Sequence, residues 1–319
     1  MLLAMTPLSV HPTDEIDRRL IGELILDGRA SYASLAGTVD LSQAAVRARV
    51  RRLLADNVVT ITARVDPQSV GIGVFSFVFL SVTEPARTVA ARIAEIDEAV
   101  FVVCIAGRWN VLVEVRCSDH RHLLDVLDQV RATAGVADLE TFTALDYLKA
   151  GTSGIAAEVF GHHVPRSLPE PVPGDRPLDE TDLALIRALV ADGRATFADL
   201  APIVGLSQAG VRARVQRLLD EKVVTIHASV SAPALGLASF AALLVSIRGP
   251  AGPVLEQLCA KPEFTVVAAA SGRFEAVCEV WCRDDDHFLD TLDSIRVLKG
   301  VADVQTGTYL EIVKEKYRI

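Results

Sequence analysis

Apolar residues in the first sixty positions recur at three- and four-residue spacing. Ile16, Leu20, Ile21, Leu24 and Ile25 mark one face of a helix that Asp14 can cap. Asp27-Gly28 closes it, with Gly28 expected as a left-handed terminal residue. Ser31 or Ser34 opens a short helix through Leu35, Ala36 and Val39. After a tight break at Asp40-Leu41, Ser42 caps a third helix running to about Asp56. Three short helices with a tight second connection predict a helix-turn-helix. Val59 to Val65 alternates like a strand and serves as a wing or as a link onward.

The period then changes from helical to mixed. Val74 to Val82 carries Phe75, Phe77 and Phe79 at every second place, which predicts a strand. Arg87 to Ile96 has helical spacing. Val100 to Ile105 and Asn110 to Arg116 read as strands around Gly107, and Asp119 can cap a helix carrying Leu123, Leu124, Leu127 and Val130. Ala137 to Tyr147 closes the order β-α-β-β-α-β, the ferredoxin-like split motif.

The whole pattern then returns at an offset of 165 positions. Leu41 to Leu54 reappears as Leu206 to Leu219, changed only at Ala45/Gly210 and Arg51/Gln216. Asp14, Gly28, Gly107, Glu114, Gly135 and Lys149 recur as Asp179, Gly193, Gly272, Glu279, Gly300 and Lys314. A period this long means duplicated domains, not a solenoid. Copy two repeats the strands and helices at Phe240 to Ile247, Val254 to Cys259, Thr265 to Ala270, Ala276 to Cys282, Asp286 to Val297 and Val304 to Val313. The fold class expected is α+β, with two winged helix-turn-helix domains (13–66 and 178–231), each followed by a ferredoxin-like domain (70–149 and 235–316). Residues 150–177 contain five prolines and form a linker, able to span about 90 Å when extended.

Composition narrows the function classes. The chain has 319 residues and a net charge of −9, which argues against a non-specific polyanion binder but leaves local basic faces open. No window reaches about 18 uninterrupted apolar residues, and the amino terminus lacks a charged leader, so no membrane span and a cytoplasmic location are expected. Cys104, Cys117, Cys259, Cys278 and Cys282 are sparse; without a nearby His or second Cys pair they read as reduced thiols, not a zinc site. His11, the pair His162-His163 and His227 are scattered. His122 and His287 match across the repeat at a helix start and read as solvated. There is no Walker loop, dinucleotide fingerprint, nucleophile elbow or metal-ligand cluster, so no enzyme activity and no cofactor are implied.

The third helix of each copy carries the candidate chemistry. Val46, Val50, Leu53 and Leu54 gather on the packing face, and Ala44, Ala45, Ala48, Arg51 and Arg52 on the opposite one. Arg47 and Arg49 flank the boundary, and the acids sit mainly on the first helix, at Asp14, Glu15 and Asp17. Small residues let a backbone approach a groove, arginines neutralise phosphates, and Gln43 can read adenine. The DNA-contact set is Ser42, Gln43, Ala44, Arg47, Arg49, Arg51 and Arg52, with Ser207, Gln208, Ala209, Arg212, Arg214, Gln216 and Arg217 in copy two. The plain alternative is a solvated basic face.

The run Ser-x-x-x-Val-Arg-x-Arg-Val-x-Arg-Leu, followed by Val-Val-Thr, resembles the leucine-responsive/asparagine-responsive (Lrp/AsnC) regulator family. That family joins a helix-turn-helix to a ferredoxin-like domain called RAM, for regulation of amino-acid metabolism. The resemblance covers both copies and leaves out the linker. It implies double-stranded DNA and a small effector, such as an amino acid or related metabolite, as partners. The family's glycine turn is matched by Gly107, Arg108, Trp109 and Asn110, and by Gly272, Arg273, Phe274 and Glu275, the candidate effector site. Family members commonly carry acids beside that glycine; Arg108 and Arg273 here suggest a different ligand. Trp109 and Phe274 are expected to fill sheet or interface surface, and Arg at a turn tip is most simply solvated. Family members usually dimerise through RAM, so this chain resembles a fused dimer whose paired RAM sheets set the distance between heads, with further homo-oligomers open. Some fused haem-biosynthesis decarboxylases also resemble the family, but the His they carry before this turn is absent from Val102 to Gly107 and Val267 to Gly272.

Overall fold

Every helix of the two heads opens on a side chain that satisfies its first amides. The computed structural model describes residues 13–152, 155–156, 172 and 177–316. Most of the expected linker, with His11, His162 and His163, lies outside these. The first head comprises α1 (Glu15–Leu26), α2 (Tyr32–Val39) and α3 (Gln43–Ala55), and the second α6 (Glu180–Ala191), α7 (Phe197–Val204) and α8 (Gln208–Asp220). Asp14 and Asp179 form capping boxes with Asp17 and Asp182, and Ser31 and Thr196 cap the second helices. The tight turn is made by a left-handed residue, Asp40 (φ 53°) in one head and Gly205 (φ 65°) in the other. Leu20, Ile21, Leu24, Val46, Val50 and Leu53 close the first head's core.

Gly28 corrects one expectation. It is not left-handed, and α1 ends on Asp27 in extended backbone (φ −138°). The glycine is needed for close approach to the other copy. Its amide donates to the Ile226 carbonyl at 3.0 Å, and a Cβ there would lie 2.8 Å from Ile61 Cγ2. Gly193 mirrors it, donating to the Ile61 carbonyl at 2.9 Å.

The strand after each head also differs from expectation. β1 (Val59–Val65) forms no wing with its own head. It pairs antiparallel along its full length with β6 (Val224–Val230) of the other copy, where twisted edge strands find the hydrogen bonds a lone strand lacks. Val59 faces Val230, Val65 faces Val224, and Thr62 faces His227 at the midpoint. Arginine clamps reinforce the ribbon. Arg29 donates to the carbonyls of Gly193 (2.9 Å) and Ala195 (3.1 Å), and Arg194 to those of Gly28 (2.9 Å) and Ala30 (3.1 Å). The heads are thus tied to each other within their own unit, by ribbon and clamps, and their spacing is not left to the RAM sheets.

The second unit holds residues 72–151 and 236–316. Copy one supplies β2 (Val74–Val82), α4 (Ala86–Ile93), β3 (Ala99–Gly107), β4 (Val111–Cys117), α5 (His120–Ala132) and β5 (Val136–Ala150). Copy two supplies β7 (Ser239–Ile247), α9 (Gly252–Ala260), β8 (Phe264–Ser271), β9 (Ala276–Cys282), α10 (Asp285–Arg296) and β10 (Val301–Glu315). Each copy has the split β-α-β-β-α-β order. The two sheets join edge to edge, β5 to β8 and β10 to β3, and close a barrel of order β10-β3-β4-β2-β5-β8-β9-β7. Closure removes all sheet edges. Alternation places Val78, Leu80, Val102 and Val113 under the helices, and Phe77, Phe79, Phe101, Val103 and Leu112 inside the barrel. Lys149 and Lys314 seal the closure by donating to carbonyls at the ends of the opposite copy's helices. Lys149 reaches Cys259 (3.1 Å) and Lys261 (2.7 Å), and Lys314 reaches Ala94 (2.8 Å) and Ile96 (2.7 Å).

Candidate nucleic-acid interface and effector turn

Two faces of α3 have separate tasks. Ser42 caps it by accepting from the Ala45 amide at 3.2 Å, and Ser207 does the same for α8 from Gly210. Val46, Val50 and Leu53 point inward. Ser42, Gln43, Ala44, Arg47, Ala48 and Arg51 are exposed along the other side, matched on α8 by Ser207, Gln208, Ala209, Arg212, Ala213 and Gln216.

The arginines do not all belong to that exposed side. The sequence reading kept them apart from the acids of the first helix, and the structure brings them together. Arg49 donates to Asp14 (2.7 Å) and Asp17 (2.9 Å), and Arg52 to Asp17 (2.5 Å). Arg214 donates to Asp179 (2.6 Å) and Asp182 (2.9 Å), and Arg217 to Asp182 (2.8 Å). Asp17 and Asp182 are 1% exposed, so each depends on its guanidiniums for compensation. These four arginines lock the third helix onto the first. The outward positive charge is carried by Arg47 and Arg51 in head one, with Arg52 half exposed (49%) although paired, and by Arg212 in head two. Arg47 stacks on Tyr32, 5.0 Å from the ring centre. Gln216, in the place of Arg51, donates to Asp220 at 3.0 Å.

In the barrel, both glycine turns have left-handed backbone: φ is 152° at Gly107 and 138° at Gly272. A Cβ on Gly107 would sit 2.5 Å from the Thr306 carbonyl oxygen, and one on Gly272 3.0 Å from the Phe142 ring. Four of the eight candidate effector residues are already engaged in the fold. Trp109 (3% exposed) and Phe274 (1%) fill the barrel interior, as expected of them. Asn110 Oδ1 accepts from the Val82 amide (3.0 Å), and Glu275 Oε2 from the Ile247 amide (2.6 Å), equivalent roles in the two copies. Arg108 and Arg273 stay exposed, with the two glycines.

Two features escaped the sequence. His122 and His287 are not simply solvated: each reaches a glutamate through Nε2, Glu98 at 3.0 Å and Glu263 at 3.3 Å. Glu114 and Glu279, noted only as a repeat match, line a small cavity inside the barrel with Phe77, Phe101 and Tyr309. Glu279 accepts from Thr265 (2.6 Å), Trp281 (2.6 Å) and Tyr309 (3.0 Å), and Glu114 pairs with Arg116 at 2.9 Å. Burial raises the Glu279 carboxyl above its ordinary range, against the three donors. A matched carboxylate in an otherwise apolar strand was the available signal. Among the described residues the five cysteines are unbridged, no helix is long and apolar enough to cross a membrane, and no cluster of three or more His, Cys, Asp or Glu is placed to hold a metal.

Comparison with known proteins agrees with this construction. An AsnC-type helix-turn-helix model matches residues 14–54 and 178–219, an Lrp/AsnC ligand-binding domain model matches 74–153, and a model of a C-terminal dimeric alpha+beta barrel domain matches 251–319. The HTH-type transcriptional regulator LrpA of Mycobacterium tuberculosis is 37% identical over 131 residues, 40% of this chain and 87% of its own length. The regulator FL11 of Pyrococcus horikoshii is 28% identical over 143 residues, 44% of this chain and 95% of its own length. Over the whole chain, the crystal structure of the siroheme decarboxylase NirDL superposes with a TM-score of 0.67 at 12% identity, covering 96% of this chain and 94% of that one. At that identity the likeness shows the fold alone. The two AsnC-type heads, the ligand-binding domain and the level of identity to LrpA place this chain in the Lrp/AsnC family, in a duplicated form.

Proposed function

We propose that the chain is a sequence-specific transcription regulator built as a fused pseudo-dimer, with two non-identical heads that enter successive major grooves of double-stranded DNA. The carrying observation is the division of labour on α3 and α8. Arg49, Arg52, Arg214 and Arg217 fix each helix from behind, so that Gln43, Ala44, Arg47 and Arg51, and Gln208, Ala209 and Arg212, are presented outward. Head one carries the larger positive charge and contributes more phosphate contact. The target is an imperfect inverted repeat. Selection of bound fragments from the host genome followed by gel shift tests this. Enrichment of a spaced pair of half-sites, weakened more by Arg47→Ala than by Arg212→Ala, is expected. Recovery of no fragment, or undiminished binding by the triple Arg47→Ala/Arg51→Ala/Arg212→Ala variant, overturns the reading.

A small effector, an amino acid or related metabolite, binds at the RAM turns in this reading. The likeness to siroheme decarboxylase supports a second reading, catalysis on a porphyrinoid. The residues favour regulation: neither Val102 to Gly107 nor Val267 to Gly272 offers a histidine, and Trp109 is turned into the barrel core. An absorbance change on adding a porphyrinoid substrate would establish the second reading instead.

A further inference from the structure

At one end of the barrel the two copies place like charges around a single carboxylate. Arg108 Nη2 lies 3.8 Å from Glu140 Oε2, and Arg273 Nε lies 3.8 Å from Glu140 Oε1. The repeat partner of Glu140 is Gln305, so the second carboxylate that symmetry would supply is missing. Gln305 instead accepts from Arg273 Nη2 at 3.3 Å. Two guanidiniums face the one carboxylate of Glu140, and a further acid of β10, Asp303, accepts from Gln305 Nε2 at 3.4 Å.

The ion pairs are also loose. A charge-assisted bond between guanidinium and carboxylate closes to about 2.7–2.9 Å. The α1–α3 and α6–α8 locks reach 2.5–2.9 Å. At 3.8 Å neither mouth arginine is satisfied by Glu140 in that way. Each guanidinium, about half exposed, rests on the ring beside it: Arg108 sits 5.0 Å over the Trp109 ring and Arg273 4.8 Å over Phe274. These rings are buried and pack with Phe79 and Phe142, so the floor of the mouth is aromatic and rigid. Planar donors held over such a floor match the two oxygens of a carboxylate.

We propose that the barrel mouth framed by Arg108, Arg273 and Gln305 binds a small carboxylate of net negative charge, such as a dicarboxylic acid or an acidic amino acid. This rests on the reading that the glycine turns face the effector, and it names the effector's class. Glu140 competes with the ligand for the same two arginines.

Calorimetry on the full chain without DNA tests it, with L-glutamate, succinate, L-leucine and inorganic phosphate as separate titrants. Tryptophan emission, to which Trp109 and Trp281 both contribute, provides a second readout. L-glutamate or succinate is expected to bind, L-leucine and phosphate at least tenfold more weakly. Arg108→Ala and Arg273→Ala should each weaken acid binding about tenfold or more, while Glu140→Gln, which copies Gln305, strengthens it. Circular dichroism confirms that each variant is folded. No heat or emission change with either acid overturns the proposal, as does equal binding of phosphate, which marks simple charge screening, or indifference to both arginine variants. Gel shift on the same preparations reports DNA binding separately, so failure here is distinguishable from failure of the regulator reading.

Discussion

Asp40 and Gly107 show how backbone geometry, more than side-chain chemistry, fixes single positions. Asp40 adopts φ 53°, where the second head carries Gly205. Left-handed backbone costs most L-residues about 1–2 kcal/mol, and β-branched ones most. Asp40→Val should therefore lower stability by about 1–2 kcal/mol. Asp40→Gly should stay within about 0.5 kcal/mol, because relief of backbone strain is offset by a more flexible unfolded chain. Urea midpoints at unchanged slope measure both. A large loss in Asp40→Gly would instead assign the role to the carboxylate. The two turn glycines differ in what surrounds them. At Gly107 the obstacle is a backbone carbonyl oxygen, which cannot move, and at Gly272 it is the edge of a phenyl ring, which can. Gly107→Ala should cost about 2–3 kcal/mol and Gly272→Ala distinctly less, as read in thermal unfolding. Equal losses would show that φ alone governs both.

Between elements, the strongest local feature is the bracket of arginines and aspartates that joins α1 to α3 and α6 to α8. Removing Arg49 and Arg52 together leaves the buried Asp17 without a cationic partner, with only the Asp14 amide at 3.3 Å still donating to it. The expected loss is about 3–5 kcal/mol, whereas Arg51→Ala should change stability by under about 0.5 kcal/mol. Chemical denaturation of the two variants separates the arginines that build the head from those that face outward. The same bracket makes the heads acid-sensitive. The Asp17 amide and then Arg49 hold the Asp14 carboxyl below its ordinary 3.8, and Arg214 and then the Asp182 amide do so for Asp179. A depressed carboxyl contributes stability that is complete above the unfolded value and lost as pH falls through the folded one. Helical content of the heads should accordingly fall with pH below 3.8, and insensitivity there would show these pairs to be inert. Much of this scale was legible beforehand. The faces of α1 and α3, their Asp14 and Ser42 caps, and the alternating phenylalanines of β2 follow from local periodicity. What was not legible depends on contacts far apart in sequence. The alternation of β1 marks a strand without naming β6 as its partner. Arg49 and Asp17 meet only once two helices cross. Gly28 resembles a helix terminator until the opposing Ile61 and Ile226 are in place.

For the molecule as a whole, the ribbon and the reciprocal arginine clamps join the heads into one unit, which in the proposed reading meets DNA as a single body. Adding about five base pairs, half a helical turn, between half-sites should remove most of the affinity. Undiminished binding would show that the heads move independently. The charge difference between heads makes a second measurement possible. Gln216→Arg restores in head two the arginine that head one has at position 51, and should steepen the salt dependence of binding by about one unit of slope. An unchanged slope would place position 216 away from the phosphates.

The midpoint of the β1–β6 ribbon has a consequence for assembly. Two separate identical polypeptides paired in this way would put each central residue opposite its own duplicate, threonine against threonine or imidazole against imidazole. Covalent linkage guarantees the unlike encounter of Thr62 with His227 and enforces one-to-one stoichiometry without any partner search. Each half can then accumulate changes that a symmetric homodimer would have to bear twice, and the departures at Arg51/Gln216, Glu140/Gln305 and Phe142/Gly307 are of this kind.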